Sequence, residues 1–175
     1  MKKIQTKSIE TVVNFNRPLS CNELVDLIDD ALEEYNKVAK KEWKKLPFLK
    51  RIFKRCYNYT VYCYSHEFYS IDGMIEMKPT GPYPLNPEFY PDAKYEDRYM
   101  IFIFGNGKYL YFNVISGEAE ESQFGTWIKE KDIIPCITIK ANMKSIPYWE
   151  RIQLKFLQEI VPIIERIDKR REATE

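Results

Sequence analysis

The chain has 175 residues, 45% of them hydrophobic and 15% aromatic, with a formal net charge of +1. That composition excludes a disordered chain. The near-neutral balance excludes global attraction to nucleic acid or to acidic membranes, so electrostatic binding has to come from local patches. The length fits a single domain able to bury a substantial core, expected over residues 1–171 with 172–175 as a frayed tail.

The basic start, MKKIQTKSIE, is not followed by the apolar run of a secretory signal, and no stretch reaches the ~18 apolar residues of a membrane span. Cys21, Cys56, Cys63 and Cys136 show neither C-x-x-C nor zinc-ligand spacing. Scattered thiols of this kind are expected free and reduced. The expectation is a cytoplasmic protein without membrane contact. Lys outnumbers Arg 19 to 8 and Ile outnumbers Leu 20 to 10, a codon bias that suggests an A+T-rich bacterial or phage genome.

In chain order, Ser8–Phe15 alternates weakly and reads as a strand. The clearest helix start follows. Ser20 and Glu23 form a capping box, and Leu19 and Leu24 stand where a hydrophobic staple closes. Leu24, Leu27, Ile28, Ala31, Leu32, Tyr35, Val38 and Ala39 then make one apolar stripe, expected to be buried, up to a helix end near Lys45 ahead of Pro47. Phe48–Arg55 reads as a short second helix. Asn58–His66 and Phe68–Met77 read as two strands. Five prolines from Pro79 to Pro91 make 80–97 a long extended loop, and a loop of this length is more often functional than a short one.

Arg98–Ile115 reads as a β-hairpin about Asn106-Gly107, the preferred centre of a type I′ turn. This predicts the pairs Gly105 with Lys108, Phe104 with Tyr109, and Phe102 with Tyr111. One face then carries Tyr99, Ile101, Ile103, Leu110, Phe112 and Val114; the other carries Met100, Phe102, Phe104, Tyr109 and Tyr111. Both are apolar, so neither is an ordinary solvated sheet face. A polar acidic connection follows over 117–125, then a strand over 133–140 in which Pro135 marks an edge or a start. A long helix closes the chain from about Pro147 to Arg170. The order predicts an α+β fold: a mainly antiparallel sheet of about five to six strands packed on N-terminal and C-terminal helices, with a Pro-rich loop near 79–97.

The single histidine, His66, rules out a multi-histidine zinc site or an H-E-x-x-H helix within one chain. No Gly-rich phosphate loop and no G-x-S-x-G elbow occurs. No metal, cofactor or catalytic set is therefore assigned. Charge is segregated along the first helices: 20–36 carries six acids and no base, whereas 37–55 carries nine bases and one acid. This complements a helix macrodipole.

These features lead to a non-enzymatic cytosolic module that binds an unidentified protein, in the general size and character of a bacterial immunity-type protein that neutralises a toxin. Its candidate contacts are Phe102, Phe104, Tyr109 and Tyr111 on the hairpin, with Tyr90, Asp92, Glu118, Glu120 and Glu121 as an acidic, aromatic rim. The alternative is nucleic-acid binding through Lys40, Lys41, Lys44, Lys45, Lys50, Arg51, Lys54 and Arg55. A second alternative is a small enzyme in which Glu118, Glu120 or Glu121 converges with His66.

Overall fold

The computed structural model describes residues 9–71, 74–77, 94–106, 110–117, 119–122, 125–129, 134–141 and 147–174. The elements in order are β1 (Glu10–Asn14), α1 (Cys21–Lys44), α2 (Phe48–Phe53), β2 (Tyr59–Ile71), β3 (Met74–Met77), β4 (Lys94–Gly105), β5 (Leu110–Ser116), β6 (Glu120–Ser122), β7 (Gly125–Lys129), β8 (Cys136–Ala141) and α3 (Pro147–Glu172). Six antiparallel strands form the spine β1-β8-β5-β4-β2-β3, with β7 joined to β4 and β6 to β7. The architecture is α+β, with the two long helices at either end of the chain.

Local signals set the helix boundaries. Ser20 is the N-cap of α1: its hydroxyl accepts from the Glu23 N–H at 3.2 Å, and its own N–H donates to the Glu23 carboxylate at 2.8 Å. These bonds hold the Glu23 carboxyl below its ordinary range. Leu19 and Leu24 are both buried, as the staple requires. Pro135 directly precedes β8, and its carbonyl accepts from the Phe15 N–H at 2.9 Å.

The hairpin keeps its predicted faces but not its predicted register. Gly105 pairs with Leu110, Phe104 with Tyr111 and Ile103 with Phe112. This is a slip of two residues, which leaves every side chain on its face because the strand period is two. The cause is long-range. Asn106 adopts φ +54° as a turn residue, but it faces the entry to β2. Its N–H donates to the Asn58 carbonyl, its side-chain oxygen accepts from the Asn58 N–H at 2.7 Å, and its amide donates to the Cys56 carbonyl. Gly105 is needed beside it, since a Cβ there would lie 2.8 Å from the Tyr59 ring.

Three other expectations are corrected. The region read as two strands does hold two, but the break lies elsewhere: β2 runs unbroken through Glu67 to Ile71, because β4 pairs with it residue for residue from Tyr59–Gly105 to Ser70–Lys94, and β3 pairs back on its end. β4 therefore begins at Lys94, inside the span read as a loop; residues 78–93, with Tyr90 and Asp92, lie outside the described residues. The acidic connection contains the short hairpin β6–β7, in which Glu120 stands opposite Trp127. Finally, α3 runs through Glu172, two residues past its expected end.

The inner sheet face packs on α1 and α3. Ile101, Ile103, Leu110, Phe112, Val114, Ile137 and Ile139 meet Leu24, Leu27, Ile28, Phe156 and Ile160 in one core. At its centre Phe156 stacks on Tyr59, centroids 4.1 Å apart, and lies 4.6 Å from Phe112. The helices run antiparallel: Arg171 donates to Asp30 at 2.5 Å, and Arg166 pairs with Glu34.

Candidate functional site

Burial along α1 stops at Leu32. The predicted stripe continues through Tyr35, Val38 and Ala39; Tyr35 still packs on Tyr59 at the start of β2, 5.5 Å between centroids, but Val38 and Ala39 lie outside the core. This part of the stripe forms one wall of a cleft of about 1300 Å³, with Trp43 and Leu46 further along. The opposite wall is the N-terminal two thirds of α3, through Tyr148, Ile152, Pro162 and Ile163. Tyr57 and Tyr59 form the floor, and α2 borders the opening through Leu49, Lys50 and Phe53. The volume exceeds the ~300–1,000 Å³ common for small-molecule pockets.

α2 is unusual for a helix in a folded domain. None of its residues is buried: Phe48, Leu49, Ile52 and Phe53 are 68%, 69%, 59% and 83% exposed. Six residues are far too few for a helix to persist unaided. Polar contacts hold it instead. The Trp43 indole N–H donates to the Lys54 carbonyl at 2.6 Å, and the Arg51 guanidinium lies 5.8 Å from the Trp43 ring centre. The chain thus fixes four large apolar side chains in contact with water.

The floor is a polar-edged aromatic cluster. Asn36 clamps the backbone of Tyr59 in both directions, at 2.8 and 2.9 Å. Burial, and then the neighbouring Glu159 carboxylate, raise Tyr35 above the ordinary phenol value. Burial also raises Tyr59, and it pushes Tyr57 up to about 12 with the Tyr148 phenol adding to it. These hydroxyls therefore remain protonated at neutral pH and act as hydrogen-bonding groups rather than bases.

The basic segment reaches this rim through Lys50, Lys54 and Arg55. Lys40, Lys41, Lys44, Lys45, Lys50, Lys54 and Arg55 are exposed, and Arg51 is half-buried. Lys45 pairs with Glu42 at 2.5 Å, and across the cleft Lys155 pairs with Glu159 at 3.5 Å. Among the described residues Lys40, Lys44, Lys50 and Lys54 form no salt bridge.

No family model, no curated protein and no solved structure matches this chain. The chemistry of its surfaces carries the functional reading.

The outer sheet face holds the hairpin candidates. Phe102 is 7% exposed, enclosed by Tyr64, Phe104 and Tyr111 at centroid distances of 5.1–6.1 Å. Phe104 and Tyr111 are half-buried against the same cluster, which also contains Phe68, Met100 and Trp127. Tyr62 and Tyr64, at 55% and 49% exposure, supply most of the open aromatic surface here; their alternation on β2 was the available signal. Tyr109 and Glu118 lie outside the described residues, as do the side chains of Glu120 and Glu121.

His66 packs edge-on against Trp127 at 5.5 Å, and the register places Glu120 opposite Trp127. Cys63, on the other face, is half-buried, and burial raises its thiol, so it is no activated nucleophile. Among the described residues no group of three or more His, Cys, Asp and Glu side chains is placed to hold a metal ion. No helix among them is long and apolar enough to cross a membrane.

Proposed function

We propose that this chain is a protein-binding module without catalysis of its own, which acts by covering a partner in the manner of a toxin-neutralising immunity protein of a bacterial cytoplasm. One observation carries the reading: α2 presents Phe48, Leu49, Ile52 and Phe53 to solvent beside an open apolar cleft. A contiguous apolar surface of that kind marks an interaction site, and buried aromatic anchors dominate protein recognition. The docking surface is therefore α2 and the cleft, with Tyr62 and Tyr64 on the sheet as a separate, smaller aromatic area. Cys21, Cys56, Cys63 and Cys136 are not joined in disulfides, which supports a reducing compartment.

The test is affinity capture from a native lysate of the source organism, with and without nuclease, using wild type and a Phe48→Ala/Phe53→Ala variant. The reading expects a stoichiometric protein that survives nuclease and is lost with the variant. Equal capture by both chains would refute the assignment of the surface.

Nucleic-acid binding is the second reading, favoured by four exposed lysines, Lys40, Lys44, Lys50 and Lys54, which form no salt bridge among the described residues. It predicts material lost on nuclease treatment and an affinity that falls steeply with salt; a flat salt dependence excludes it.

A further inference from the structure

The protein-binding reading leaves open what kind of segment enters the cleft. We infer that the cleft between α1, α2 and α3 receives an acidic amphipathic helix of the partner protein, an inference that rests on the reading above.

Shape argues first. The cleft is a trough between two antiparallel helices that are ion-paired at one end, at Asp30–Arg171 and Glu34–Arg166, and lined by apolar side chains at the other. Its α1 wall extends from Tyr35 to Trp43, about 12 Å at 1.5 Å per residue, or roughly two helical turns, and Leu46 continues it past the helix end. A helix laid along this trough buries an i, i+3, i+7 stripe against Val38, Trp43, Ile152 and Ile163, a recognised mode of peptide capture. It would also cover Leu49 and Phe53, which α2 projects over the opening.

Charge argues second. The acids of the rim are already engaged: Glu42 with Lys45, and Glu159 with Lys155. Lys50 and Lys54 border the cleft without a salt bridge among the described residues, and Lys44 stands one residue beyond Trp43. The rim therefore offers cations without intramolecular partners to an incoming chain. Acidic residues flanking the occupant's apolar stripe complement them, whereas basic ones meet like charge at close range.

The competing occupant of a basic, apolar surface is an anionic bilayer. The geometry favours the helix, because the apolar walls are recessed and a flat bilayer reaches only the tips of α2.

The experiment is selection from a phage-displayed library of randomised helical peptides, about 14 residues or roughly four turns long, against the intact chain. Binders are counter-selected on Ala39→Trp, which places an indole in the trough. The expected pool has apolar residues at helical spacing and net negative charge. Its members lose at least tenfold in affinity on Lys50→Glu/Lys54→Glu, a variant of exposed residues that leaves the melting temperature unchanged. If Ala39→Trp does not fold, the charge reversal alone decides. No enriched pool, a neutral or basic pool, or binding indifferent to charge reversal would overturn the inference. So would binding to phosphatidylserine vesicles that Ala39→Trp leaves intact and Phe48→Ala/Phe53→Ala abolishes. A failed selection, set beside lysate capture that still requires Phe48 and Phe53, would discard the acidic helix and keep the protein-binding reading.

Discussion

Replacing Phe53 by Ala separates a docking residue from a core residue. Full burial of a phenylalanine side chain contributes ~1.5–3 kcal/mol to stability. Phe53 is 83% exposed, so about one sixth of that, roughly 0.3–0.5 kcal/mol, is lost on truncation. Alanine returns up to ~0.7 kcal/mol through its higher helix propensity, and the net change in folding is close to zero. In the bound state the ring is covered, and its loss should cost about 2 kcal/mol, roughly thirtyfold in affinity. The assay is urea denaturation of wild type and Phe53→Ala, followed by titration of each with the captured partner. Coincident urea midpoints with a thirtyfold weaker complex are expected. A loss of about 2 kcal/mol in folding would show that α2 is packed in solution, and the reasoning would fail.

Three further outcomes follow from the geometry. Gly105→Ala drives a Cβ to 2.8 Å from the Tyr59 ring in a packed core and should destabilise by about 1–3 kcal/mol in the same denaturation assay, whereas Gly117→Ala, with open space around it, should cost little. Ser20→Ala removes the cap of α1 at a cost of about 1 kcal/mol; because the Ser20 bonds lower the Glu23 carboxyl, stability present above its unfolded value of 4.5 should be lost as pH falls through the lower folded value, and a pH series of melting temperatures should show a shallower acid loss in Ser20→Ala. Tyr35, Tyr57 and Tyr59 are raised, so their contribution is complete below the unfolded phenol value of 10.0 and declines as pH climbs beyond it; the melting temperature should fall above that pH, and phenolate absorbance should reveal these hydroxyls titrating after exposed tyrosines.

What was legible in the sequence is what short-range chemistry decides. The capping box at Ser20 and Glu23 involves four consecutive residues and appears as read. The two faces of Arg98–Ile115 follow from alternation alone, and Ile101, Ile103, Leu110, Phe112 and Val114 do form the inner core. The register did not follow, because Asn106 answers to Cys56 and Asn58, some fifty residues away in the chain. The span of β2 depended likewise on its partner β4. The proposed docking surface was hidden for a different reason. Tyr35, Val38 and Ala39 continue the helical spacing of Leu24 and Ile28, and Phe48 and Phe53 have the composition of core residues. Periodicity identifies an apolar face but not what covers it, and Val38 and Ala39 stand outside the core that Tyr35 still packs against. Of the basic candidates, Lys50, Lys54 and Arg55 do border the cleft, though they were selected for charge and not for the trough beneath them.

The most direct test is hydroxyl-radical footprinting of the chain alone and in complex with its captured partner. Side chains of α2 and the cleft rim should be labelled readily in the free chain, with Phe48, Leu49 and Phe53 protected on binding and Tyr62 and Tyr64 unchanged. Protection confined to Tyr62, Tyr64 and Tyr111, with α2 still open to label, would contradict the account and move the interface to the outer sheet face.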